Sequence, residues 1–158
     1  MAHHISHTIR VDVPMHKIWA VLQDFSSIER TSHAVESSPI TSEIKEGVGT
    51  IRKCHFYDKN SVVEEITHYE EGRSFRMVLS EYSMPMKSIK AEFTVDKVDE
   101  NNCDITMSMD FVVKFGLLGK ILGALLLKSV LKKKVLKAEL IGLAYHAKSG
   151  ELVGDKLP

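Results

Sequence analysis

The amino-acid sequence predicts an α+β fold. A curved antiparallel sheet of about seven strands wraps around one long C-terminal helix, and two short helices follow the first strand. Three observations predict it. From Ala34 onward, short segments of alternating or β-branched residues succeed one another, joined by turn signals and not by helices. A compact helical pattern follows directly on the first strand. A much longer helical pattern closes the chain, and no other element is long enough to cover the apolar face of such a sheet.

The elements follow in order. In ISHTIRVDV, residues Ile5, Ile9, Val11 and Val13 alternate as in a strand. Pro14 opens a helix, because proline suits the first helical turn. Met15, Ile18, Trp19, Leu22 and Phe25 then recur at helical spacing. SSIERTS forms a second short helix, with Ser26 or Ser27 as its cap. The strands VESSPITSEI, GTIRKCHFY, SVVEEITHYE, SFRMVLSEYS, KSIKAEFTVDKV and DITMSMDFVVKF follow. The turns KEGVG, DKN, EEGR and DENN separate them, which argues for an antiparallel meander. The glycines Gly116, Gly119 and Gly123 mark a broken segment before the long helix, which runs to about Ser149. The tail ELVGDKLP is expected to fray. Residues 1–158 are read as one domain.

Composition narrows the function. The chain has 158 residues, 44% hydrophobic and 27% charged, which is an ordinary globular balance. Lys+Arg and Asp+Glu are both 21, so no global field draws the protein to nucleic acid. Cys54 and Cys103 are too few for a disulfide framework and are read as reduced. The polar start MAHHISHTIRVDVP carries no signal-peptide pattern. The run Leu117–Leu127 is too short to span a bilayer. A cytoplasmic protein is expected, without stable membrane insertion, as a monomer or homodimer.

The residues that carry a family resemblance are VDVPMHKIWAVLQDFSSIE, GVGTIR, VVEEITHYEEGRSF and FGLLGKILGALLLKSVLKKKVLKAELIGLAYHA. Together with the order of elements, they resemble the helix-grip fold of the Bet v 1-like, START-related superfamily (SRPBCC), in its polyketide cyclase/dehydrase and lipid-transport branch. The resemblance implies a lipophilic-ligand cavity between the sheet and the long helix. Members bind or carry lipids, hormones or aromatic polyketides, and a minority catalyse cyclisation or dehydration. In the plant hormone-receptor branch a cavity glutamate opens a Glu-Arg-Leu-like run, and EEIT places Glu64 at that position. That branch also has a cavity lysine where this chain has Glu36. Its gate and latch loops are replaced here by DKN and EYSMPM. These departures point away from a hormone receptor.

The candidate site residues follow from face and chemistry. Glu64 shares a strand face with Val62 and Ile66, and Glu65 shares the other with Val63 and Thr67. Alternation alone leaves open which face is inside; the resemblance favours Glu64. A buried carboxyl there is the candidate general acid or base. On a regular helix at 100° per residue, Lys128, Lys132, Glu139 and His146 form a polar line opposite Lys133, Lys134, Lys137 and Lys148. Leu125, Leu136 and Val135 flank that line. Two readings of Lys132 and Glu139 stand side by side. They snorkel or pair as a structural ion pair, or they orient a ligand's polar end. Met77, Met107 and Met109 offer adaptable apolar lining, or plain core packing.

Other chemistry finds no support in the sequence. His3, His4 and His7 match no compact metal set, and His33, His55 and His68 lack ligand-spaced partners. Cys54 and His55 point to opposite faces of a strand and cannot pair as nucleophile and base. No cofactor motif or metal motif is present, and no nucleophile motif either. Three functions remain open. The leading one is binding or transport of a lipophilic molecule. The second is a cyclase, dehydratase or aromatase using Glu64 with Lys132 or Glu139. The third is an interaction module built on Gly116–Leu127, which also reads as a lid.

Overall fold

The computed structural model describes residues 2–114 and 125–158. Seven strands form one antiparallel sheet in the order β1-β7-β6-β5-β4-β3-β2. They are β1 (Ala2–Val11), β2 (Val35–Ser37), β3 (Ile51–Phe56), β4 (Ser61–Glu70), β5 (Ser74–Ser80), β6 (Met86–Lys97) and β7 (Cys103–Val113). Helices α1 (Met15–Gln23) and α2 (Ile28–Thr31) lie between β1 and β2, joined by a 3-10 turn at Phe25–Ser27. The C-terminal helix is described from residue 125. Its stretch Leu131–Leu136 is π-helical, and α3 (Lys137–Ser149) completes it. This is the expected helix-grip arrangement.

Alternation places the core. Met77 and Leu79 on β5, Ile89, Ala91, Phe93 and Val95 on β6, and Cys103, Ile105, Met107, Met109 and Phe111 on β7 all point inward and are buried. Leu136, Leu140 and Leu143 of the C-terminal helix meet them, with Leu136 and Leu140 fully buried. Each such side chain contributes about 1.5–3 kcal/mol of burial. Helix α1 buries Ile18, Trp19 and Leu22, and the Trp19 indole donates to Glu71.

The helices lock together by close approach. Gly142 of α3 sits against Thr31 of α2, where a β-carbon would lie 1.9 Å from the Thr31 carbonyl oxygen. Only glycine fits this crossing. Gly150 ends α3 in the left-handed conformation (φ 74°) and donates its N–H to the His146 carbonyl.

Three boundaries differ from expectation. The strand read through VESSPITSEI holds only Val35–Ser37, with an isolated bridge at Ile40. Pro39 interrupts it, because proline has no N–H for a ladder. The tail does not simply fray: Val153 is buried and its N–H donates to the Arg30 carbonyl. The long helix is not regular, and this changes which residues face the sheet.

Candidate functional site

A cavity of about 430 Å³ lies between the sheet and the C-terminal helix. Its walls are mostly apolar. Met77, Leu79, Ala91, Phe93, Met107 and Met109 come from the sheet, and Leu131 and Val135 from the helix. Its lining reaches the surface at Tyr57, Asp58 and Asn60 of the β3–β4 turn, at Ser83 of the β5–β6 connection, and at Lys134. The polar groups beneath this mouth are few, and they are clustered.

The central pair is Arg52 and Glu64. The short turn after β3 sets the register that places them opposite each other across β3 and β4. Arg52 is 3% exposed and Glu64 8%. The Arg52 Nε donates to Glu64 Oε2 at 2.5 Å, and its Nη1 donates to the Phe25 carbonyl at 2.6 Å. The guanidinium also stacks 3.9 Å from the Phe25 ring centroid, and Nη2 contacts the Met77 sulfur at 3.8 Å. Burial alone disfavours the charged guanidinium. The Glu64 charge overrides this and holds the Arg52 pKa above its ordinary value. Cys54, two residues along the same strand face, places its thiol 3.5 Å from Glu64 Oε2. Burial and that carboxylate push the Cys54 thiol up, so it is no thiolate nucleophile.

The second polar group is Glu139. Ser32, just after α2, donates its hydroxyl to Glu139 Oε1 at 2.5 Å and accepts the Ala34 N–H at 3.2 Å. Glu139 Oε2 is buried and has no hydrogen-bond partner among the described residues. Burial lifts the Glu139 carboxyl to about 7; the Ser32 hydrogen bond opposes the rise, Glu64 adds to it, and Arg52 opposes it. A proton carried on Oε2 meets no acceptor among the described residues.

The structure sorts the residues chosen from sequence. Glu64 is the inward glutamate and Glu65 the exposed one. Glu64, Glu139, Met77, Met107, Met109 and Val135 share the cavity wall. Leu136 is buried in the core without lining the cavity, and Leu125 is 67% exposed.

Lys132 is a correction: it is exposed and does not line the cavity. The cause is the π-helical turn, in which Lys137 N–H bonds to the Lys132 carbonyl five residues back. The turn accommodates one extra residue and rotates everything before it by about 100°. Residues seven apart, Lys132 and Glu139, therefore fall out of phase. Residues eight apart come into phase, and Leu131, 5% exposed, takes the inward place. An ion pair between Lys132 and Glu139 is absent among the described residues.

Sequence reasoning missed Arg52 and Ser32. The signal for Arg52 was available: it shares a strand face with Thr50 and Cys54, and the DKN turn sets it against Glu64. Ser32 bears no sequence mark, since its role depends on how α2 meets α3. Most of the apolar segment Gly116–Leu127, read as an interaction surface or a lid, lies outside the described residues. Among the described residues no cluster of three or more His, Cys, Asp or Glu side chains is placed to hold a metal ion. No helix among them is long and apolar enough to cross a membrane.

An apolar cavity gripped between a curved sheet and a long helix, with a small polar cluster inside, defines the helix-grip class of ligand-cavity proteins. The model of the family described as polyketide cyclase / dehydrase and lipid transport matches residues 2–147, and the chain belongs to that family. No curated protein matches the chain. Among solved structures, it is similar to the ZhuI aromatase/cyclase of Streptomyces sp. R1128, with a TM-score of 0.75, 17% identity, and 94% of each chain covered. It is similar to a START superfamily protein of Mycobacterium smegmatis, with a TM-score of 0.74, 11% identity, and coverage of 92% of this chain and 97% of that one. It is also similar to norcoclaurine synthase of Thalictrum flavum, solved with dopamine and hydroxybenzaldehyde, with a TM-score of 0.67, 18% identity, and coverage of 97% and 90%. At these identities the likeness establishes the fold.

Proposed function

We propose that the protein binds or carries a lipophilic small molecule, a lipid, polyketide or other aromatic compound, in the cavity between sheet and C-terminal helix. The observation that carries this reading is the cavity itself, about 430 Å³, walled by Met, Leu, Phe and Ala with its polar groups clustered. That volume and lining suit a small organic ligand that is mostly apolar with one polar end. Met77, Met84, Met107 and Met109 let the wall adjust to different shapes. The test is saturable binding of an uncharged solvatochromic dye such as Nile red, repeated on Ala91→Trp, which fills the cavity. Loss of dye binding in a variant with unchanged circular dichroism supports the reading. Undiminished binding in that variant overturns it.

A second reading has its own observation: two carboxyl groups, Glu64 and Glu139, line one cavity. A cyclase or dehydratase needs a group able to pass a proton near neutral pH, and Glu139 suits that task better than Lys132, which is exposed. On this reading Glu139→Ala stops turnover of a poly-β-ketone substrate while binding persists. Equal turnover in the variant removes the reading.

A further inference from the structure

We infer that the inner end of the cavity selects an uncharged ligand carrying a carbonyl acceptor, such as a ketone or ester, which receives a hydrogen bond from the protonated carboxyl of Glu139. This rests on the binding reading and adds a ligand class to it. Most polar atoms at the inner end of the cavity are already committed within the protein. The Arg52 guanidinium is committed to Glu64, to the Phe25 carbonyl and to the Phe25 ring, so it offers no free cation to a carboxylate ligand. Glu64 Oε2 already accepts from Arg52 and from Cys54. The Ser32 hydroxyl donates to Glu139 Oε1 and accepts from Ala34. Of the fully buried side-chain nitrogens and oxygens without a partner among the described residues, Glu139 Oε2 is the one on a side chain that lines the cavity.

The groups around Glu139 are Arg52 and Cys54 from β3, Glu64 from β4, and Ser32 from the segment after α2. Lys134, earlier on the same helix, is exposed at the mouth. With Arg52 neutralised by Glu64, ionising Glu139 leaves an uncompensated negative charge in a mostly apolar cavity, which is costly. A carboxylate ligand would add a second negative charge. An amine ligand would have to shed its water to reach a wall of apolar side chains. A neutral acid donating to a neutral carbonyl incurs neither penalty. Burial keeps Glu139 protonated up to about pH 7, which makes this arrangement accessible near neutrality.

The test is calorimetric titration of the whole protein with 2-decanone, decanoate and decylamine at pH 6 and pH 8. The ketone is expected to bind most tightly of the three at pH 6. Its affinity should fall about tenfold at pH 8, as the protonated fraction drops from about nine-tenths to about one-tenth. Glu139→Gln retains an amide donor, so it should keep ketone binding with a flat pH response. Glu139→Leu should lose the preference for the ketone over a plain alkane. Tighter binding of decanoate at pH 6, tightest binding of decylamine at pH 8, or an unchanged pH response in Glu139→Gln each overturn the inference and leave the binding reading standing. Failure of all three probes to bind overturns both.

Discussion

Arg52 and Glu64 face each other across β3 and β4, both nearly inaccessible to water, and each supplies the charge that the other needs. Removing one partner leaves a buried charge alone. Arg52→Met is therefore expected to cost about 3–5 kcal/mol in urea denaturation. The double variant Arg52→Met/Glu64→Leu should recover most of that loss. A double variant no more stable than Arg52→Met would show that the two residues are not energetically coupled.

Gly142 of α3 packs directly against the backbone of Thr31 in α2. Gly142→Ala sets a methyl group 1.9 Å from the Thr31 carbonyl oxygen, so α2 and α3 must separate. Crowding of this kind costs about 1–3 kcal/mol or more. Gly154→Ala is the control, because a β-carbon there meets nothing within 4 Å. Thermal denaturation should show a clear drop for the first and no change for the second.

Glu139 ties stability to pH. Its carboxyl is raised from 4.5 to about 7 by burial, so between these values the folded protein holds a proton that the unfolded chain has lost. By linkage, its contribution is present below about pH 4.5 and declines as pH rises to about 7, by up to about 3 kcal/mol. Above that the contribution is flat. Glu139→Gln should lack this decline, so the stability difference between variant and wild type should grow across the window. A difference that is constant from pH 4.5 to 7.5 contradicts the placement of Glu139.

The π-helical turn makes a prediction that separates neighbours. Leu131→Ala removes a buried side chain and should cost about 2–5 kcal/mol, with weaker dye binding. Lys132→Ala, on the exposed side, should change stability by less than about 0.5 kcal/mol and leave binding alone. A regular α-helix through this stretch would bring Lys132 into line with Glu139, and Lys132→Ala would then be felt in both measurements.

The fold was legible because alternation and helical spacing report burial directly. In KSIKAEFTVDKV, Ile89, Ala91, Phe93 and Val95 alternate along the sequence, and all four share the buried face of β6. The site was legible only in part. Period two assigns Glu64 and Glu65 to opposite faces without saying which is inside, and only the packing of β4 decides it. Arg52 was passed over because an arginine in a strand usually faces water, and its burial depends on a cross-strand partner. Lys132 was misplaced because a fixed 100° step cannot register an extra residue in one turn. Ser32 reaches Glu139 across 107 positions of chain, a relation that exists only in the folded molecule.

The most direct test of the account uses the methionine methyl groups as reporters. In a protein labelled at the methionine methyls, titration with 2-decanone should shift the NMR signals of Met77, Met84, Met107 and Met109, which line the cavity. Met15, in the separate surface groove beside Trp19, should stay in place. Shifts confined to Met15, or an unchanged spectrum at saturating ketone, would contradict the claim that this cavity holds a lipophilic ligand.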